Sequence, residues 1–79
     1  MTFADLERLL LKLGFIACQT VGNHQVFQHP ASNTLIVLPR YEPQEFLRPV
    51  HLVSVRKILT ENGLMTIAAF DGFLEKVNQ

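Results

Sequence analysis

The stretch GNHQVFQHP, residues 22–30, decides which fold the chain is expected to adopt. Gly22 and Asn23 form a two-residue turn signal of the kind that joins antiparallel strands. Residues 24–29 follow this signal, and residues 15–21 before it are rich in β-branched and aromatic side chains. The two segments are therefore predicted to form a β-hairpin.

A third strand is predicted after Pro30. Ser32 and Asn33 mark a second turn, and the apolar run Thr34–Leu38 ends at Pro39, a residue that removes a backbone donor from a strand. The three predicted strands follow one another closely. They are expected to form an antiparallel meander.

A helix is predicted before the meander. Leucines recur at helical spacing within Phe3–Leu13, Thr2 stands at the N-cap position, and Asp5 lies in the first turn. Gly14 follows where a C-terminal cap belongs. This segment is expected to be the first of the helices that cover the sheet.

A surface loop and two more helices are predicted after the meander. Residues 39–49 contain three prolines and are expected to be irregular, with Phe46 and Leu47 as anchors. The second helix is assigned to Ser54–Asn62 with Ser54 as N-cap, and a start near Pro49 is the alternative. Apolar residues at helical spacing after Thr66 predict a short third helix.

Composition favours one folded domain over residues 1–79. The chain is 48% hydrophobic and 18% charged, too apolar for a disordered segment, and its length leaves room for one core. A single cysteine excludes an internal disulfide and fits a reducing cytoplasm, and no secretory signal or membrane span is expected. Seven basic residues balance seven acidic ones, which counts against nucleic-acid binding.

His24 is the candidate for chemistry. It follows the turn signal directly, so its ring should stand at the start of a strand where a substrate backbone can approach. A histidine exchanges protons near neutral pH, and RNA cleavage needs a proton taken from a 2′-hydroxyl. The alternative is that His24 is only a polar residue at a hairpin end.

The remaining histidines, the cysteine and several basic residues are the other candidates for binding groups. His29 lies five residues after His24 and should point to the opposite sheet face, so the two histidines are not expected to share a metal. No metal and no nucleotide cofactor are expected, because metal-ligand spacings and a glycine-rich phosphate loop are both missing. His51 is interpreted as solvated or capping, and Cys18 as a small buried hydrophobe. A basic edge with one aromatic residue is the candidate RNA contact: Arg40, Tyr41, Arg56 and Lys57.

In the predicted strands, the side chains directed to both faces of the sheet are largely apolar. One face should pack against the helices, and the other needs a cover. The third helix is the preferred cover, and a protein partner or a homodimer stays open.

These local strings resemble the HicA family of toxin–antitoxin toxins over most of the chain. The opening helix, the run from Gly22 to Pro30 and the strand ending at Pro39 carry the resemblance, whereas residues 66–79 are an addition and Asn23 stands where the family often has serine. The resemblance implies an α+β, double-stranded-RNA-binding-like α-β-β-β-α fold with an extra C-terminal helix. It also implies a metal-independent endoribonuclease that cleaves mRNA, with His24 as the catalytic residue, with Gly22 and Asn23 at the RNA backbone, and with a HicB-like antitoxin as partner. The alternative is a catalytically inactive HicA-like binding or regulatory domain that acts through a protein partner.

Overall fold

The chain has an α+β fold built on a three-stranded antiparallel sheet. The computed structural model describes residues 1–18 and 22–78. The elements in chain order are α1 (Phe3–Lys12), β1 (Ile16–Cys18), β2 (His24–His29), a 3₁₀ turn (Pro30–Ser32), β3 (Thr34–Pro39), α2 (Pro49–Glu61) and α3 (Ile67–Val77). The strand order is β1-β2-β3, and both neighbouring pairs are antiparallel. The predicted α-β-β-β-α layout with a following helix is confirmed; the predicted residues 19–21 of the first strand lie outside the described residues.

Helix α1 begins and ends where its local signals predict. The Thr2 hydroxyl accepts a hydrogen bond from the Asp5 N–H at 3.2 Å, and the Thr2 N–H donates to the Asp5 carboxylate at 3.0 Å. This reciprocal capping box satisfies two donors at the helix start. Gly14 follows the helix with φ at +99°, a conformation that favours glycine.

The two faces of the sheet have different environments. In the β2–β3 register, Phe27 lies opposite Ile36 and His29 lies opposite Thr34, and all four residues are buried on the inner face. Side chains alternate along a strand, so His24, Val26 and Gln28 point to the outer face. We call this second surface the outer face throughout.

One core joins the inner face to all three helices. Its fully buried side chains include members of α1, β2, β3, α2 and α3: Leu6, Leu10, Phe27, Ile36, Leu38, Val55, Leu59 and Phe70. Because Phe70 of α3 lies in this core, α3 is held against the other helices rather than across the sheet.

The expectation that α3 covers the outer face is therefore wrong. Ile16, Leu35 and Val37 are 55%, 55% and 56% exposed on that face. Phe70 and the Arg56–Asp71 ion pair attach α3 to α2 on the opposite side of the sheet. Cys18, predicted to be buried, is half-buried because it points to the same outer face opposite Val26.

The segment between β3 and α2 folds back onto the chain start. The Phe3 N–H donates to the Glu45 carbonyl at 2.8 Å, and the Leu47 N–H donates to the Met1 carbonyl at 3.0 Å. Leu47 is buried as predicted. The Phe46 side chain is 71% exposed, so Phe46 anchors the loop only through its backbone, which forms an antiparallel bridge with Thr2. None of the α-helices formed by the described residues combines the length and apolar character needed to cross a bilayer.

The start of α2 corrects the assignment of Ser54 as an N-cap. The helix begins at Pro49, the alternative start, and Ser54 is an exposed residue in its interior. Proline suits the first helical position because its φ is already helical and its missing N–H would have had no partner there.

Candidate functional site

Gly22, Asn23, His24, Pro39 and Arg40 lie together at one end of the sheet, and we call this group the His24 corner. His24 is the first residue of β2 and pairs with Pro39. The Arg40 N–H donates to the Asn23 carbonyl at 2.9 Å, which ties the segment after β3 to the residues before β2. The structure thus brings four of the seven predicted site residues into one exposed place.

The local backbone exposes the His24 ring. Gly22 has φ at +84°, which glycine adopts without the steric cost that a side chain would bring. Gly22, Asn23 and His24 are all exposed, and His24 points to the outer face, away from the core. Within residues 1–18 and 22–78, the histidine rings that form hydrogen bonds are those of His29 and His51, and the His24 ring forms none.

The charge at the His24 corner differs from that of the whole chain. Arg40 is exposed, and the two ion pairs formed by described residues, Arg8–Asp5 and Arg56–Asp71, do not include it. None of the five corner residues carries a carboxylate. A neutral chain therefore has a corner with one arginine and one histidine, a composition that suits an anionic ligand.

His29, at the other end of β2, is held by a full set of hydrogen bonds. Its Nε2 lies 2.9 Å from the Leu13 carbonyl, which can only accept, and its Nδ1 lies 3.2 Å from the Ser32 N–H, which can only donate. The proton therefore sits on Nε2. The Ser32 hydroxyl is 2.7 Å from Nδ1, and the ring packs against Phe15 at 5.0 Å between centroids.

The opposite orientation of the two histidines is confirmed, since His24 is exposed and His29 is 9% exposed on the inner face. The structural role of His29 was not predicted. Its sequence signal is the order His-Pro-Ala-Ser, in which the histidine side chain caps the 3₁₀ turn by accepting from the Ser32 N–H.

Tyr41 lies in the core and not at the candidate RNA surface. It is 6% exposed, and its ring stacks on Phe3 with 5.7 Å between centroids and an angle of 8°. Its hydroxyl accepts from the Arg48 N–H at 3.1 Å and hydrogen-bonds the Nδ1 of His51. The ring is buried and stacked on Phe3, so Tyr41 does not belong to an exposed RNA-binding site.

His51 is half-buried and joins the start of α2 to this tyrosine, a contact that the sequence did not reveal. The Arg48 guanidinium lies 4.8 Å from the centre of the Tyr41 ring. This group connects the loop, α1 and α2, and explains why a loop rich in proline ends in a fixed place.

Arg56 and Lys57 lie on α2, away from the His24 corner. α2 packs its Val55 and Leu59 into the core on the inner side of the sheet, whereas His24 points to the outer face. Arg56 donates two hydrogen bonds to Asp71, at 3.0 and 3.2 Å. These bonds lower the pKa of the Asp71 carboxyl and raise the pKa of Arg56, so Arg56 connects α2 to α3.

Within the described part of the chain, no three histidine, cysteine, aspartate or glutamate side chains are grouped closely enough to hold a metal ion. An open groove lies at the turn between α2 and α3, lined by residues 60–61 and 63–67. It includes none of the predicted site residues.

The fold and the corner define an α+β domain with an exposed histidine at the end of a hairpin. No family model, no curated protein and no solved structure matches the chain.

Proposed function

We propose that the chain is a HicA-like toxin, an endoribonuclease that cleaves mRNA with His24 as the general acid–base. The observation that carries this proposal is the position of His24: an exposed imidazole on the outer face that has no hydrogen bond to another described residue. It follows Gly22 and Asn23, and the Asn23 carbonyl accepts from the Arg40 N–H. The resemblance of residues 22–30 to the HicA family supports the same assignment.

The proposed reaction needs only groups in the His24 corner. A neutral His24 nitrogen takes the proton of a ribose 2′-hydroxyl, whose oxygen attacks the adjacent phosphorus. The bond from phosphorus to the 5′-oxygen breaks, the imidazolium of His24 returns the proton it took to that leaving oxygen, and a 2′,3′-cyclic phosphate remains. Arg40 neutralises the phosphate, and the backbone at Gly22 and Asn23 lets the RNA strand come close.

Lys57 lies on α2, away from the His24 corner, so we propose for it at most a distant contact with an RNA phosphate. The Arg56 guanidinium donates a hydrogen bond to Asp71 and is not proposed as a phosphate ligand. A HicB-like antitoxin is the protein partner that this proposal includes, and the cytoplasm is the compartment in which it would act on mRNA.

The test compares wild type with His24→Ala by inducible expression in bacteria and by incubation of purified protein with RNA. We expect growth arrest and loss of bulk mRNA with wild type only, and a fall in cleavage rate of about 10²- to 10⁴-fold in the variant, the usual contribution of a general acid–base. Gln28→Ala is the matched control, because Gln28 is exposed on the same strand and the same face. Intact RNA at stoichiometric wild-type protein contradicts the proposal.

A second candidate function is a non-catalytic domain that holds a protein partner on the outer face. The more than half-exposed side chains of Ile16, Leu35 and Val37 favour it, because buried apolar surface is the usual source of binding energy. Under this alternative, His24→Ala keeps full function in cells and Val37→Lys loses it. The two variants together separate the two functions.

A further inference from the structure

The sheet has one long edge that is free of pairing. β3 spans six residues, lies at the end of the strand order, and within residues 1–18 and 22–78 pairs only with β2. An exposed, uncharged edge strand is a template for another strand unless charges, a bulge or a cover block it. The residues of β3, TLIVLP, carry no charge, and Pro39 comes only at the end.

The hydrogen-bond alternation identifies which backbone groups face outward. The Arg40 N–H donates to the Asn23 carbonyl, so these opposite residues form a hydrogen-bonded pair. Hydrogen-bonded and non-hydrogen-bonded pairs alternate along an antiparallel ladder. The pairs Val37–Val26 and Leu35–Gln28 are therefore non-hydrogen-bonded pairs. The N–H and C=O groups of Leu35 and Val37 consequently point to the free edge.

Pro39 supports this assignment independently. Pro39 lies opposite His24 in another non-hydrogen-bonded pair, so its backbone nitrogen and carbonyl also point to the free edge. A proline has no N–H to donate, and prolines in sheets are found where the missing donor would have faced away from the neighbouring strand.

We propose that β3 pairs antiparallel with β3 of a second copy of this chain, about a twofold axis at Ile36. In this register Leu35 of each copy lies opposite Val37 of the other, and both pairs exchange their outward N–H and C=O groups. The outer faces of the two copies then lie on the same side of the joined sheet, as the alternation of side chains along each strand requires. The two sheets become one continuous antiparallel sheet.

A second copy fits this edge better than a charged partner. The uncharged strand places no like charges opposite each other when it pairs with itself, and the chain has a formal net charge of zero, so copies do not repel. The other edge strand, β1, has only three described residues and is a poorer template. His24 stays exposed on the outer face, so the dimer does not depend on the proposed ribonuclease activity.

Sedimentation equilibrium of the full chain from about 10 µM to about 1 mM tests the dimer, because an edge contact is smaller than a standard interface and should be weak. Two double variants probe the register with the same number of added charges. L35K/V37K sets lysine opposite lysine, and L35K/V37E sets lysine opposite glutamate. Circular dichroism confirms that both variants fold.

We expect wild type and L35K/V37E to dimerise and L35K/V37K to remain monomeric, with a dissociation constant raised at least about tenfold. In wild type the amide hydrogens of Leu35 and Val37 should exchange more slowly as concentration rises. A wild type that is monomeric at every concentration overturns the proposal. Equal loss of the dimer in both double variants overturns the pairing register.

Discussion

The two histidines of β2 show how differently one residue type can be used at the two ends of one strand. His24 is exposed and its ring has no hydrogen bond to another described residue, whereas His29 is buried and its ring is bonded to Leu13 and Ser32. Five residues separate them, so the alternation of side chains sends them to opposite faces. One ring is exposed at the surface, and the other holds the end of α1 against the sheet.

The role of a histidine in this strand therefore depends on the face to which it points and on its neighbours. Ser32 and the carbonyl of Leu13 use both nitrogens of His29, which leaves none for chemistry. At His24, the positive φ of Gly22 and the outward direction of the side chain leave both nitrogens without a partner among the described residues.

The largest expected effect on stability is that of His29→Ala. The change leaves the Leu13 carbonyl and the Ser32 N–H without their partner and opens space beside Phe15, which together should cost about 3 kcal/mol. Urea denaturation of wild type and variant measures the difference in free energy of unfolding.

His24→Ala is the control for that measurement, since removal of an exposed side chain should change the free energy of unfolding by less than about 0.5 kcal/mol. Similar losses in the two variants would contradict the distinction between a structural and a free histidine.

A smaller effect is expected where glycines lie near the two histidines. Gly14 has a positive φ, and an added Cβ would lie 3.1 Å from Nε2 of His29, the atom that bonds Leu13. Gly14→Ala should therefore cost about 2 kcal/mol, from backbone strain plus displacement of the ring.

Gly22→Ala has the same kind of backbone strain, but a Cβ there meets nothing within 4 Å. We expect a loss of about 1 kcal/mol from strain alone. Thermal unfolding of both variants compares them, and a Gly22 variant that is the less stable of the two would argue against a role for the His29 contact.

Elements with strong local signals could be predicted from the sequence. Thr2, Asp5 and Gly14 mark α1 because caps act within one turn, and the alternation in β2 and β3 is likewise local. The sequence predicts too late a start for α2 because Ser54 is a residue type typical of N-caps, while a proline such as Pro49 can either end or begin a helix.

The positions of Tyr41 and α3 could not be predicted because they depend on contacts distant in sequence. Tyr41 is buried through its stacking on Phe3, and α3 is placed by Phe70 and Asp71. Helical spacing predicts that α3 has an apolar side, but it does not say which surface that side will cover. At the candidate site, the sequence predicts an exposed His24 at the start of β2, whereas the partners of His29 depend on how the whole chain folds.

The smallest expected effect concerns the start of α1, at the opposite end of the helix from His29. The Thr2 backbone N–H, helped by the Thr2 hydroxyl and the Arg8 guanidinium, lowers the pKa of the Asp5 carboxyl below its ordinary value of 3.8. Since the folded-state pKa is below the unfolded one, this carboxylate stabilises the fold fully above pH 3.8, and its contribution is lost as the pH falls further. Asp5→Asn should therefore cost about 0.5 to 1 kcal/mol at pH 7, and the difference from wild type should shrink steadily below about pH 4.

Urea denaturation from pH 7 down to pH 2.5 measures this dependence, with Asp71→Asn as the control. Asp71 is also a paired carboxylate, but its side chain is 52% exposed against 16% for Asp5, so solvent screens its pairing with Arg56 more strongly. Equal stabilities of wild type and Asp5→Asn across this range would show that the charge of Asp5 does not stabilise the helix. The stabilising contact would then be the Thr2 hydroxyl to the Asp5 N–H, which the asparagine variant keeps.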